Sequence, residues 1–77
     1  MNKILFFAHL KDAVGEDFYL LDVAGRTVKE VKEIVAERFE FGHLNTVMTA
    51  INEEFATNEE IIKEGDEIAF IPPVSGG

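Results

Sequence analysis

Apolar residues run almost without a break through positions 4–10 (Ile4, Leu5, Phe6, Phe7, Ala8, His9, Leu10), until the polar pair Lys11 and Asp12. A Phe-rich run of that length predicts a first strand over 4–10, apolar on both faces. After Gly15, the stretch Asp17, Phe18, Tyr19, Leu20, Leu21, Asp22, Val23 reads as a second strand. The few residues between suit a hairpin, so the two strands are expected to be antiparallel neighbours. Thr27 followed by Glu30 is a capping-box pattern, in which the hydroxyl and the carboxylate satisfy N–H groups at a helix start. Val28, Val31, Val35 and Phe39, with Ile34 beside them, follow three- and four-residue spacing, while Lys29, Glu30, Lys32, Glu33 and Glu37 fall elsewhere around the wheel. That pattern predicts a helix from Thr27 with one apolar stripe, stopped at Gly42. Strand character returns over 46–51 and again over 67–71, with turns at Asn52, Glu53 and Glu54 and at Gly65 and Asp66. Residues 59–62 are read as a single helical turn.

The order strand, strand, helix, strand, strand describes an α+β domain: a mixed sheet of four to five strands with one main helix across one face. A single helix leaves the second face of a sheet uncovered. Leu5 and Phe7 alternate with Ile4 and Phe6, so whichever pair is core, the other pair is apolar too. The second face is therefore either an interaction patch or is covered by loops and the region of Phe55.

A chain of 77 residues has room for one core, here assigned to 1–71, with 72–77 as an extended tail. Its 47% hydrophobic content marks a folded domain rather than a disordered one. No apolar run approaches the ~20 residues that span a bilayer. The start lacks the long apolar stretch and cleavage site of a signal peptide, so a cytoplasmic protein is expected. There is no cysteine, which excludes disulfides, thiolate nucleophiles and cysteine-based metal sites. The net charge of −8 opposes nucleic acid and anionic membranes as partners and favours a basic protein surface.

No active site of its own emerges. His9 and His43 are far apart and lack metal-ligand spacing, Ser75 lies in no nucleophile elbow, and Gly15, Gly25, Gly42 and Gly65 stand singly at turns. The paired acids Glu53 with Glu54 and Glu59 with Glu60 are adjacent rather than facing, as in a solvated surface.

The tail is different. Pro72 and Pro73 fix φ and remove two N–H donors, so the last strand stops and the chain is launched outward. Residues 74–77 would reach on the order of 13 Å when extended. Gly76 and Gly77 have no Cβ and would pass through a narrow channel, which makes the Gly77 carboxylate a candidate functional group. An ordinary frayed terminus is the other reading. A carboxylate is a poor electrophile; adenylation would give it a leaving group, and a sulfur donor could then convert it to a thiocarboxylate.

Several segments resemble the small subunit of molybdopterin synthase, a sulfur carrier of the ubiquitin-like β-grasp family. They are Ile4, Leu5, Phe6, Phe7, Ala8 with Leu10, Lys11 and Gly15; Thr27 and Val28; Ala50, Ile51, Asn52, Glu53, Glu54; and the whole of 65–77. The ending Ile71, Pro72, Pro73, Val74, Ser75, Gly76, Gly77 is the specific part, and the resemblance covers nearly the whole length. It implies that an E1-like adenylating enzyme activates Gly77 with ATP and magnesium, and that a sulfur donor then loads it. The thiocarboxylate would serve molybdenum cofactor biosynthesis, donating sulfur to cyclic pyranopterin monophosphate inside the large synthase subunit, as a sulfurtransferase whose catalytic side chains belong to that subunit. Pro73, Val74, Ser75 and Gly76 would enter partner active sites, and no cofactor or metal would be held permanently. Leu5, Phe7 and Ile71 are assigned to the partner interface. A heterotetramer of two small and two large subunits is implied. The thiamine-pathway sulfur carrier, a ubiquitin-like modifier joined through Gly77 to lysines, and a plain interaction module remain as alternatives.

Overall fold

In the computed structural model, which describes residues 1–41, 44 and 46–73, the opening apolar run does not form one strand. It divides into strand β1 (Asn2–Phe6) and helix α1 (Ala8–Val14). The reversal falls at Ala8, whose φ is +53°. The reason is tertiary: β1 finds pairing partners only as far as Phe6, and backbone running past a sheet's end must satisfy its hydrogen bonds locally. The helix does this and returns Leu10, 3% exposed, to the core. Gly15 ends the helix in the left-handed region (φ +82°), its N–H donating to the Lys11 carbonyl at 2.8 Å. The link from β1 to β2 (Phe18–Leu21) is thus a helix rather than a hairpin, although the two strands are antiparallel neighbours as expected.

Helix α2 (Val28–Arg38) begins as the capping box requires: Glu30 N–H donates to Thr27 Oγ1 at 3.2 Å, and Thr27 N–H to Glu30 Oε1 at 2.9 Å. It ends at Arg38, with Phe39 as its cap; Gly42, the expected stop, lies outside the described residues. The segment around 58–62 is not a helical turn. Residues 57–60 instead form a tight turn, Glu60 N–H donating to the Thr57 carbonyl at 3.2 Å, and the chain then meets the start of α2 with Ile61 bridged to Thr27. Val28 N–H donates to the Glu60 carbonyl at 2.9 Å and Lys29 N–H to the Asn58 carbonyl at 3.1 Å. These carbonyls satisfy N–H groups that a helix start leaves open.

Strands β3 (Met48–Ile51), β4 (Glu54–Ala56) and β5 (Glu67–Ile71) complete a five-stranded sheet in the order β2-β1-β5-β3-β4. Among the described residues, β1 and β5 pair in parallel and the other neighbouring strands antiparallel. Strand β4 was not expected from the sequence. It arises because Asn52 and Glu53 both take positive φ (+51° and +71°), the geometry of a two-residue type I′ hairpin.

Under α2 the core is Ile4 and Phe6 of β1, Ile68 and Phe70 of β5, Val28, Val31 and Val35 of the helix, and Ile62. Phe39 meets Phe6 edge-on, with centroids 5.5 Å apart. Asn2, Lys32 and Thr49 are the buried polar side chains among the described residues, and Asn2 is the most buried of them. Asn2 is 1% exposed and joins three segments: its Nδ2 donates to the Lys63 carbonyl (2.8 Å) and the Asp66 carbonyl (3.0 Å), and its Oδ1 accepts from Val23 N–H (3.3 Å). Among the described residues no helix is long and apolar enough to cross a membrane. The expected effect of Asn2→Ala is a loss of about 1–3 kcal/mol, because it leaves buried backbone groups unpaired. Urea unfolding of both proteins checks this, and an unchanged midpoint would show that the clip contributes nothing.

Candidate functional site

Helix α2 covers one face of the sheet; the register fixes what stands on the other. Leu5 lies opposite Phe18 on β2 and Ala69 on β5, Ala69 opposite Ala50 on β3, and Ala50 opposite Phe55 on β4. One row therefore crosses all five strands as Phe18, Leu5, Ala69, Ala50, Phe55. Its tall members flank two alanines, and the result is a shallow trough of about 230 Å³, to which Phe7 and Ile71 also contribute. Met48 lies opposite Ile71 on the same face. The face is apolar and open: Phe55 is 72% exposed, Met48 48% and Phe7 45%.

Leu5, Phe7 and Ile71, assigned from the sequence to a partner interface, are thus brought together around one depression. Phe55 does not close over the face; it stands as one wall of the trough. Ala50 and Ala69, which form the floor, gave no sequence signal, since a small residue has meaning here only once its cross-strand neighbours are known.

The tail root adjoins this site. β5 ends at Ile71 on the rim of the trough; Pro72 is buried and Pro73 exposed. Both prolines line a second, mainly apolar cleft of about 220 Å³ with His9, Leu10, Phe41 and Val47. Val74, Ser75, Gly76 and Gly77 lie outside the described residues.

The end of the trough nearest the β3–β4 hairpin is acidic, lined by Glu53 and Glu67. A side-chain network holds that end in shape. Asn52 Nδ2 donates to Asp66 Oδ1 at 2.9 Å, Asn52 Oδ1 accepts from Glu67 N–H at 3.0 Å, and Asp66 Oδ2 accepts from Lys63 N–H at 2.9 Å. The Lys63 N–H first, and the Asn52 amide second, hold the Asp66 carboxyl below its ordinary value of 3.8. Among the described residues no group of three or more His, Asp or Glu is disposed to hold a metal ion.

The model of the ThiS family matches residues 4–77. The chain belongs to the ThiS family. The molybdopterin synthase sulfur carrier subunit of Haemophilus influenzae is 36% identical to it over 81 residues, covering the whole of both chains. Among solved structures, SAMP1 from Haloferax volcanii superposes with a TM-score of 0.82 at 25% identity, over 99% of this chain and 98% of that one. Subunits 1 and 2 of the molybdopterin-converting factor from Helicobacter pylori form a protein–protein complex; a chain of it superposes with a TM-score of 0.69 at 27% identity, over 99% and 97%. With these neighbours the architecture is the ubiquitin-like β-grasp, with α2 as its main helix and, among the described residues, the shorter α1 in addition.

The acidic network makes stability depend on pH in a defined direction. Folded Asp66 binds its proton less tightly than the unfolded chain does, and so does Glu30, held down by its bonds from the Thr27 backbone and hydroxyl. Their contributions are complete above the ordinary carboxylate values and are lost as pH falls through the lower, folded ones. The melting temperature should therefore drop between about pH 5 and about pH 3, and less steeply in Asp66→Asn. Identical slopes in thermal scans of the two proteins would contradict the assignment.

Proposed function

We propose that this chain is the sulfur carrier of molybdopterin synthase, with Gly77 as the group that carries sulfur. The observation that bears the reading is the full-length likeness to the Haemophilus influenzae sulfur carrier subunit. The arrangement of the molecule supports it: an open apolar face for a partner, and beside it the strand that leads into the glycine-ended tail.

The Gly77 carboxylate attacks the α-phosphorus of magnesium-bound ATP in an E1-like adenylating enzyme, and pyrophosphate leaves. A sulfide-equivalent donor then displaces AMP from the acyl carbon and leaves a thiocarboxylate. The loaded protein seats its apolar face, including Leu5, Phe7 and Ile71, on the large synthase subunit. Pro73, Val74, Ser75 and Gly76 carry the sulfur into that subunit's active site, where it passes to cyclic pyranopterin monophosphate. Hydrolysis restores the Gly77 carboxylate, and each dithiolene consumes two loaded carriers, in keeping with a heterotetramer of two small and two large subunits. This chain holds no permanent cofactor and supplies no catalytic side chain; its part is to present a slender, activatable end.

Deleting Gly77 should abolish sulfur transfer in a reconstituted reaction while leaving fold and large-subunit binding essentially intact. A deletion variant that still delivers sulfur would sink the mechanism. Gly76→Val adds a branched side chain to the approach, and its expected result is a loss of loading or transfer of at least about tenfold. Unimpaired turnover would remove the narrow-channel argument.

A further inference from the structure

Among the described residues, two carboxylates in the trough have no cation within ion-pair distance. Lys3 is the residue matched to Glu67 across the parallel β1–β5 ladder, yet its amine is drawn the other way, 4.6 Å from the centroid of the Phe18 ring. Among the described residues, the ion pairs within 4.0 Å join the N-terminal amine to Glu64, Lys11 to Asp17 and Arg26 to Glu30, leaving both Glu53 and Glu67 unpaired. Both border the alanine floor, and Phe55 rises beside them.

Water solvates these acids in the free protein. A partner that covered the trough with apolar groups alone would strip that water and leave two carboxylates uncompensated, a desolvation penalty with nothing to offset it. A partner with an acidic rim would add repulsion to the field of a chain whose net charge is −8. A cation delivered to the same end removes both penalties. Of the two cationic side chains, arginine fits better, because its planar guanidinium forks onto carboxylates and stacks on an aromatic face such as Phe55.

We propose that the occupant of this trough is a partner protein surface that sets an apolar side chain on Ala50 and Ala69 and an arginine or lysine between Glu53 and Glu67. The inference rests on the reading that this face meets the large synthase subunit. It adds the chemistry by which that partner is selected: an apolar contact for affinity and a cation at the hairpin end for orientation and encounter rate.

The test is calorimetric titration of the full-length chain with purified large subunit at about 50 mM and about 500 mM NaCl, across which surface charge pairs become strongly screened. The wild type, the double variant Glu53→Gln with Glu67→Gln, and Phe55→Ala are compared. Glutamine keeps the shape and the positive-φ turn and removes only charge. Binding by the double variant should be roughly tenfold weaker than wild type at low salt and should converge on wild type at high salt. Phe55→Ala should weaken binding at both. If the double variant binds like wild type at low salt while Phe55→Ala is impaired, the cationic anchor is wrong and the face reading stands. If neither variant differs from wild type, or wild type does not bind, both are overturned.

Discussion

Pairing Ile4 with Ile68 and Phe6 with Phe70 in a parallel ladder commits alternate residues of the two central strands to opposite faces. Those four side chains are at most 2% exposed and receive α2; Leu5, Ala69 and Ile71, interleaved with them, must point the other way. The side-chain period of a strand is two, so a slip of one residue would exchange the two sets. Core and open apolar face are consequently a single decision made at one ladder. The shape of the trough follows too, since the register that buries Ile68 and Phe70 also lines up Ala69 with Ala50 between Leu5 and Phe55.

Around that ladder the loops are fixed by amide side chains rather than by apolar area. Asn2 ties the start of β1 to the chain after β2 and to the approach to β5. Asn52 ties the β3–β4 hairpin to Asp66 and Glu67. Each asparagine donates and accepts at once, which a carboxylate or a lysine cannot do. The second of these bonds the backbone of Glu67 and belongs to the same turn as Glu53, so it sets the acidic end of the trough. Packing decides where the face is, and this polar network decides how its charged end is presented.

Helix α2 and strand β5 were legible in the sequence because each carries its own punctuation: the Thr27–Glu30 box and valine spacing for one, the Gly65–Asp66 turn and the proline pair for the other. The division of 4–10 into β1 and α1 was not, because a short apolar run has no period that separates strand from helix. What decides it is the absence of a strand partner past Phe6. Strand β4 was hidden for a related reason, as its turn places a glutamate at φ +71°, where glycine would have announced it. At the site, the alternation of Leu5 and Phe7 showed that a second apolar face exists. Its floor and its far wall came only with the register. The helical turn expected at 59–62 is replaced by a tight turn over 57–60, which aims the Asn58 and Glu60 carbonyls at the open N–H groups of α2.

The proposed function joins an open apolar face, the strand beside it and a glycine-ended tail into one device, with recognition assigned to the folded body and chemistry to the tail and the partner. The claim at its centre is that Gly77 carries sulfur. Mass spectrometry of the C-terminal peptide, from protein purified out of its own sulfur-replete cells, tests that most directly. The account predicts a population in which one oxygen of the Gly77 carboxylate is replaced by sulfur. Finding Gly77 joined to lysines through isopeptide bonds, with no sulfur-bearing form, would contradict it in favour of a protein modifier; a free carboxylate alone, with the adenylating enzyme present, would contradict it in favour of a plain interaction module.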